Sequence, residues 1–422
     1  MGEASAFEEA LSAALRPGEK FSAHMAGFQG FKIESISDAA AVARAVDLLG
    51  DSGGKPTILS PANGVVSLFL QASSREAFEV LRDEGIPRLV RFYDRQSIDS
   101  ASRSDMMLLT LMLKVFAMYG TDAGLERIWA AVRKPLDPGG FMWSVVFRSV
   151  RPAAAGAMVE GLRRTPPPPG SFMAVAALDF ATARQLAGEQ EPHLFDTDEG
   201  VAQMEAWLLD ASRASYGVSC AATLAFIKHP ARDRLLALAL DHSAIDVQLE
   251  AAWAAAKLGR RGGIDLLARL ATEPAHAKKA RKYLEELGRS DAIPASAQTP
   301  AARAVAEMCQ WLASPHEMGR PPDDIAVVDQ RVLFWPPTND RRPVWLFKYT
   351  YREPDAAKGD TVGIGMVGSV TFALFGEATA DLSPDDVYAL HCCWELQWKK
   401  DPRAPAKRSV ADGRRILEEY NS

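Results

Sequence analysis

The sequence predicts a mainly helical protein, in which stacked helix pairs over residues 38–312 precede a small α+β domain over residues 321–398. The helical part is indicated by a repeat of about 30 residues, in which side chains of equal size recur at equivalent positions. The second part is indicated by a change from helical spacing to apolar-polar alternation after Pro321. Residues 1–37 form an N-terminal segment without assigned structure, and residues 399–422 form a basic tail with a short helix.

The repeat is clearest in the middle of the chain. Residues 245–272 combine a first helix, a turn at its glycines and a second helix. The pair Ala221-Ala222 lies 30 residues before Ala251-Ala252, and Leu258-Gly259 lies 29 residues before Leu287-Gly288. Small residues let neighbouring helices approach closely, and a glycine suits the left-handed conformation at a helix end.

Residues 213–290 therefore resemble HEAT-like repeats, whose stacked helix pairs bury a continuous core. One departure is Gln248, at a position where such repeats often carry an arginine. Upstream, residues 78–94 resemble an armadillo-type unit, with a helix, a turn at Gly85-Ile86-Pro87 and a second helix. Both resemblances imply an α-solenoid whose curved surface holds a protein partner.

Further helical runs of similar spacing fill this region. Proline- and glycine-rich turns separate them, including Asp137–Gly140 and Pro166–Gly170. The predicted helices are Asp105–Tyr119, Gly124–Arg133, Phe141–Val150, Ala153–Arg164, Phe172–Ala187, Gly200–Ala211 and Pro300–Leu312. The pattern of residues 56–70 leaves their structure open and allows short strands.

The C-terminal domain is predicted from β-prone segments followed by a capped helix. Three strands are expected over Ile325–Trp335, Pro343–Arg352 and Thr361–Phe375, and the last becomes two strands if Gly368 interrupts it. Helix Pro384–Trp398 follows, because Ser383 suits the N-cap and proline suits the first helical position.

Gly363, Gly365 and Gly368 match the glycine pattern of a dinucleotide-binding loop. Such a loop needs a strand directly before the glycines and a helix that begins within them. Here a loop precedes them and the β-prone residues Ser369–Phe375 follow, so the pattern favours a bulge, tight sheet packing or a docking surface.

His391 and Glu395 lie four residues apart on the predicted helix and could share a metal ion or a proton. A zinc site needs three or four ligands, and the sequence offers no second cluster to supply them. The sequence therefore predicts a helix buried against the sheet, with no metal and no cofactor.

Trp335, Arg341 and Trp345 flank the turn between two predicted strands. Exposed tryptophan and arginine are common anchors of interfaces, so these residues, with the three glycines and His391, form the candidate interaction surface of the C-terminal domain. The alternative is that the tryptophans pack on their own hairpin.

Composition narrows the class of partner. A net charge of −6 and a pI of about 5.8 argue against a nucleic-acid partner. The sequence lacks an apolar stretch long enough for a membrane span and a recognisable secretory signal, so a cytoplasmic protein is expected. The four cysteines have no paired C-x-x-C spacing and are expected to be reduced.

These observations predict a non-catalytic scaffold for protein partners, since no spacing of nucleophile, base and orienting group emerges. One alternative is an enzyme on a HEAT-like scaffold, resembling DNA glycosylases that act on alkylated bases or bilin lyases. Another is a ligand or metal sensor in the C-terminal domain. A cleft with converging acids would favour the enzyme, whereas an exposed patch on the solenoid without a deep polar pocket would favour the scaffold.

Overall fold

The computed structural model describes residues 6–15, 31–49, 61–96, 103–133, 141–188, 192–353, 359–375 and 382–421. The described chain is mainly helical, with a small four-stranded antiparallel sheet near its C-terminus. It folds into two compact units, Met1–Ala239 and Leu240–Ser422.

The described part of the first unit is built mainly from helices. Its helices are α1 Ala6–Ala14, α2 Ile36–Asp47, α3 Pro61–Leu68, α4 Arg75–Val80, α5 Ile86–Asp94, α6 Arg103–Tyr119, α7 Asp122–Arg133, α8 Phe141–Arg148, α9 Pro152–Arg164, α10 Phe172–Leu186, α11 Asp198–Leu209, α12 Ala214–Thr223 and α13 Arg232–Leu240, which ends at the boundary with the second unit. Six of the predicted helical runs correspond to α6–α11 and are confirmed within a few residues at their ends. The predicted turn at Asp137–Gly140 lies outside the described residues.

The sequence left the structure of residues 56–70 open; residues 61–68 form a helix, while residues 56–60 lie outside the described part of the chain. One local prediction in this unit is wrong. Gly85-Ile86-Pro87 does not form a turn, because Gly85 and Ile86 both keep right-handed helical dihedrals. A π-helical turn over Leu81–Gly85 joins α4 to α5, and its wider winding accommodates the missing N–H of the proline within one continuous helical segment.

The second unit begins with three helices, α14 Ile245–Lys257, α15 Arg261–Leu270 and α16 Pro274–Glu286. Helices α14 and α16 end in the same way, since Gly259 and Gly288 have φ angles of 77° and 68°. The next amide in each case closes the turn, with Arg260 donating to the Ala255 carbonyl at 2.9 Å. The spacing of the two Leu-Gly pairs therefore marks equivalent helix ends.

Helix α15 packs closely on α14 because Gly263 carries no side chain. A Cβ atom at Gly263 would lie 2.5 Å from both the Ala252 carbonyl oxygen and the Ala256 nitrogen. A Cβ atom at the adjacent Gly262 would meet nothing within 4 Å. The two glycines therefore differ in whether the helix pair requires them.

The sheet is a meander with strand order β1-β2-β3-β4. Its strands are β1 Asp324–Trp335, β2 Asp340–Tyr351, β3 Thr361–Val367 and β4 Thr371–Phe375, all antiparallel to their neighbours. The third predicted segment is thus two strands, and the chain turns at Gly368 as the sequence allowed.

Helices cover both faces of this sheet. Helix α18, Pro300–Leu312, packs on one face, where Met308 and Leu312 meet Phe347 and Tyr349. Helices α19 Pro384–Trp398 and α20 Val410–Asn421 cover the other face. The short helix α17, Ala295–Gln298, precedes α18.

The solenoid was predicted to run through Leu312, with a domain boundary near Pro321. In the structure α18 belongs to the core of the sheet, because its amphipathic stripe fits the apolar face of β2 and β3. The two compact units divide at Ala239.

The tail contributes a cap to the free edge of β1. The side-chain amide of Asn421, at the end of α20, accepts from the Phe334 nitrogen at 2.7 Å and donates to the Phe334 carbonyl at 3.0 Å. It therefore satisfies backbone groups that an edge strand would otherwise leave unpaired.

We expect Gly263→Ala to lower the free energy of unfolding by about 1–3 kcal/mol, because the added methyl group pushes α15 away from the α14 backbone. Gly262→Ala, one residue away, should be neutral or stabilising by up to about 1 kcal/mol. Urea unfolding of the two variants checks this, and equal effects would contradict the close approach of the helices.

Candidate functional site

A cleft of about 1340 Å³ opens within the first unit. We call it the proline cleft. Its walls are the ends of α7 and α9, the loops 166–170 and 192–197, helix α11, and the short 3-10 helix Ala211–Arg213 that follows. Its volume exceeds the roughly 300–1,000 Å³ typical of small-molecule sites, so it has room for a segment of polypeptide.

Four consecutive prolines, Pro166–Pro169, form one wall of the proline cleft. They also end α9, because a residue before proline is sterically disfavoured from helical dihedrals. Gly170 then reverses the chain at φ 72°, and the Ser171 hydroxyl donates to the Pro168 carbonyl at 2.6 Å. The fixed proline φ angles make this wall stiff.

Helix α11 forms the facing wall. Its start is fixed by Thr197, whose hydroxyl oxygen accepts from the Gly200 nitrogen at 3.0 Å. Gly200 also lies so close to Phe195 that a Cβ atom would approach the Phe195 carbonyl oxygen to 2.5 Å. Further along the helix, the Trp207 ring packs 6.2 Å from Phe195 and edge-on to Tyr216 at 5.7 Å.

Two arginines join the loops of the proline cleft to its helices. Arg163 donates to the Pro192 carbonyl at 2.9 Å. Arg213 donates to the Gly170 carbonyl at 2.9 Å and lies 3.3 Å from an Asp210 carboxylate oxygen. These side chains therefore hold the walls in place.

Most of the titratable groups that line the proline cleft have structural partners. Asp196 accepts from two backbone amides, and Asp210 accepts from Ser212, which lowers the pKa of Asp210. His193 accepts a hydrogen bond from the Phe195 nitrogen at Nδ1, so its Nε2 donates to Thr182 at 3.2 Å. Burial lowers the pKa of His193 to about 4, which keeps the imidazole neutral at pH 7.

Two hydrogen-bond donors in the proline cleft are exceptions. The indole Nε1 of Trp207 and the amide Nε2 of Gln203 are both buried and without a hydrogen-bond partner. They lie four residues apart on α11 and therefore share one face of the helix. Each unpaired buried donor costs about 1–3 kcal/mol, and both nitrogen atoms are enclosed by the protein itself.

The candidate surface predicted in the C-terminal domain is not formed by the residues named for it. Trp335 is fully buried on the α19 side of the sheet, whereas Trp345 is buried on the α18 side. His391 is fully buried as well, and of the three side chains expected at the turn only Arg341 is exposed. The two tryptophans therefore pack in separate hydrophobic cores.

The three glycines are packing residues of the sheet. Gly363 and Gly365 lie within β3, and a Cβ atom at Gly363 would lie 2.4 Å from the Tyr349 ring. A Cβ atom at Gly365 would lie 2.4 Å from the Met308 methyl group, and one at Gly368 would lie 3.0 Å from Val344. This arrangement agrees with the sequence-based interpretation that the three glycines permit tight sheet packing and do not bind a phosphate.

His391 and Glu395 form a buried pair on α19, with His391 Nε2 3.8 Å from a Glu395 carboxylate oxygen. Glu395 accepts from the Trp335 indole at 2.7 Å and from Ser369 at 2.5 Å, and it pairs with Lys399 at 2.7 Å. Burial alone would raise the pKa of Glu395, but these three contacts outweigh it and hold the pKa below its usual range.

His391 itself is held by aromatic rings rather than by hydrogen bonds. Its ring centroid lies 4.9 Å from that of Phe372, 5.6 Å from Trp394 and 5.7 Å from Trp335. Neither imidazole nitrogen has a hydrogen-bond partner, and burial lowers the pKa of His391 to about 4. Within the described ranges, no group of three or more His, Cys, Asp or Glu residues is placed to hold a metal ion.

Sequence reasoning missed the proline cleft. The run Pro166–Pro169 is visible in the sequence, but it was interpreted only as turn chemistry between two helices. Gln203 and Trp207 carry no motif that marks them. Only the packing of α11 against the proline wall shows that these residues share a site.

Comparison with protein families, with curated proteins and with solved structures found no match to this chain. In the part of the chain that the structure describes, no helix is both long and apolar enough to cross a membrane.

We expect Arg213→Ala to loosen the proline wall, because it removes the contacts of Arg213 with Gly170 and Asp210. Hydrogen exchange at the Gly170 and Ser171 amides should become several-fold faster, while the melting temperature falls by only a few degrees. Arg75→Ala is the control, since Arg75 is exposed and its ion pair with Glu79 lies elsewhere. Unchanged hydrogen exchange in Arg213→Ala would show that the contacts of Arg213 do not hold the proline wall.

The buried imidazole of His391 should make stability depend on pH. Its folded pKa of about 4 lies below the ordinary 6.5, so below pH 6.5 the unfolded chain binds a proton that the folded chain excludes. Stability should therefore fall as the pH drops from 6.5 towards 4, by up to about 3 kcal/mol for this residue.

His391→Phe should reduce this pH dependence relative to the unaltered protein, whereas His316→Gln, at an exposed position, should preserve it. The stabilities are compared by denaturant unfolding between pH 6.5 and 4.5. This range does not go below the ordinary pKa of glutamate, which is 4.5. His193 contributes the same trend in all three proteins, so the difference isolates His391. If stability changed with pH as steeply in His391→Phe as in the unaltered protein, the burial of a neutral imidazole would be contradicted.

Proposed function

We propose that the protein is a non-catalytic interaction scaffold, which holds a segment of a partner protein in the proline cleft. The observation that carries the proposal is a large, mainly apolar cleft in the first unit, with room for a segment of polypeptide. Concave apolar sites with a few convergent polar groups are typical of binding sites.

Within each unit, the helices that precede α18 are proposed to stack as HEAT-like pairs. Within the first unit, some successive helices pack on each other, as in α6 with α7 and α11 with α12, and other contacts join helices two apart in the chain, as in α8 with α10 and α10 with α12. Within the second unit, α14, α15 and α16 pack around one apolar core. Contacts between helices that are near one another in the chain are what a solenoid requires.

The titratable side chains of the proline cleft favour binding over catalysis, because they already form hydrogen bonds within the protein. His193 is held as a neutral tautomer by Thr182 and Phe195, and the carboxylates of Asp196 and Asp210 accept hydrogen bonds from the protein itself. A general acid or base must instead have its proton-transfer atom directed at a substrate.

The partner is proposed to be a protein rather than a nucleic acid. The lining of the proline cleft carries three arginines and three carboxylates, so it offers no net positive charge to a phosphate backbone, and the whole chain has a charge of −6. A cytoplasmic location is proposed because the cysteines Cys220, Cys309, Cys392 and Cys393 are all buried free thiols, which suit a reducing compartment.

The test is affinity purification of the tagged protein from its native lysate, with two matched variants. Ala206→Arg places a long charged side chain on an exposed position of α11 inside the proline cleft. Ala123→Arg makes the same change at an exposed position of α7 outside it.

A stoichiometric protein partner should be retained by the unaltered protein and by Ala123→Arg, and depleted at least tenfold by Ala206→Arg. Equal melting temperatures of the two variants would establish that both are folded. Retention of the same partner by Ala206→Arg, or enrichment of no protein, would refute the proposed function.

A further inference from the structure

Strand β1 forms one edge of the sheet in the second unit and is exposed along its middle. The strand order leaves its outer side without a neighbouring strand in the described part of the chain. Val327 and Val328 are exposed, and Val332 is 60% exposed. A long edge strand with exposed apolar side chains is a template for pairing with another strand. The outer side of β1 is therefore available to a further strand.

The outward backbone groups of this edge are located by the cap that Asn421 forms. Phe334 bonds to the Asn421 side chain through both its N–H and its C=O, so it directs both groups away from β2. Alternate residues of an antiparallel strand point the same way, so Gln330 and Val332 also direct their N–H and C=O outward. Pro343, opposite Val332 on β2, has no N–H to donate to it, in agreement with this pattern.

We propose that β1 pairs antiparallel with β1 of a second copy of this chain, about a two-fold axis at Gln330. Residues 328–332 read Val-Asp-Gln-Arg-Val, which is complementary to itself when the direction is reversed. The axis places Asp329 opposite Arg331 of the second copy, and Arg331 opposite Asp329. Opposite charges on directly opposed residues stabilise a strand pair. A surface that is complementary to itself is what a symmetric dimer requires.

The exposed valines obey the same symmetry. The axis at Gln330 places Val328 opposite Val332 of the second copy, so two exposed β-branched side chains pack on each other at each end of the pairing. Val328 has no partner on β2, because the register of β1 and β2 shifts between Val327 and Asp329. The second copy therefore covers residues that the single sheet leaves exposed.

The charges of β1 select this register. Charged side chains on an edge strand often prevent association, since like charges directly opposite destabilise a strand pair. A two-fold axis at Asp329 or at Arg331 would place that residue opposite its own copy. An axis at Val332 would pair Gln330 with Phe334, whose backbone groups are already capped. Gln330 is therefore the centre at which neither charges nor the cap oppose pairing.

The charged side chains at the axis form pairs within one chain that leave them accessible. Arg331 contacts Asp329 at 2.7 Å and Asp385 at 2.5 Å, and its side chain stays partly exposed. In the dimer, Asp329 and Arg331 of one copy face Arg331 and Asp329 of the other, so positive and negative charges alternate around the axis. Such a network is worth more than an isolated exposed ion pair.

Sedimentation equilibrium of the full-length protein measures this association. We expect a reversible dimer that is well populated at about 100 μM, since a single strand pair is a small interface. Asp329→Lys and Arg331→Glu should each weaken dimerisation about tenfold or more, because each places like charges opposite one another. An equimolar mixture of the two variants should restore the dimer, since each supplies the charge that the other lacks.

Arg341→Glu is the matched control, because Arg341 is exposed on β2 outside the pairing and its charge change is the same. It should leave the dimer unchanged. Melting temperatures establish that each variant is folded, and restoration by mixing shows that the loss in the single variants comes from the interface.

Gln330→Cys tests the position of the axis directly. The four cysteines of the chain are buried free thiols, and directly opposed residues of an antiparallel pair lie within reach of a disulfide. Mild oxidation should therefore link Gln330→Cys into a covalent dimer about tenfold faster than Ala123→Cys, which changes an exposed residue of α7 in the first unit.

Three results would overturn the proposal. The first is a protein that stays monomeric at about 100 μM. The second is a dimer that the two charge variants and their mixture leave unchanged, and the third is Gln330→Cys that links no faster than Ala123→Cys. Capture of a lysate partner by the proline cleft is measured separately with Ala206→Arg, so the proposed function stands or falls independently of the dimer.

Discussion

The requirement that buried polar groups find hydrogen-bond partners organises both units of this protein. In the second unit, Glu250 of α14 is only 4% exposed, yet it accepts from the Tyr283 hydroxyl and pairs with Lys279, both on α16. Glu395 is likewise buried and is satisfied by contacts from a strand, a turn and its own helix. A buried carboxylate without such partners would cost more than the packing around it returns, so these contacts determine which helices and strands can lie together.

The exceptions to this requirement differ in their surroundings. His391 has no hydrogen-bond partner, but aromatic rings surround it and it can remain neutral, so burial is tolerable at neutral pH. Trp207 and Gln203 belong to the lining of the proline cleft, but their unmet donor atoms are enclosed by the protein. The size and the apolar lining of the proline cleft support the proposed function.

Much of the secondary structure could be predicted, because its signals are local. Helix periodicity located α6–α11, Ser383 does cap α19, and the turn at Gly368 does divide the last two strands. The failures occur where distant contacts override local preference. Gly85-Ile86-Pro87 indicates a turn, but Gly85 packs so closely on Phe69 that a Cβ atom would lie 2.7 Å from its ring, and the helix continues through a π-turn. Likewise, the helical pattern of residues 300–312 cannot show that its apolar stripe covers a sheet rather than another helix.

The sequence by itself determined where most helices and strands form and where helices end at Gly259 and Gly288. Only the tertiary structure decided which side chains are accessible. Trp335 and Trp345 are ten residues apart on one hairpin, but the sheet places them in opposite cores, because a strand's two faces are equivalent until helices cover them. The proline cleft arises in the same way, since Pro166–Pro169 and Trp207 are far apart in the chain and line one cleft only in the folded first unit.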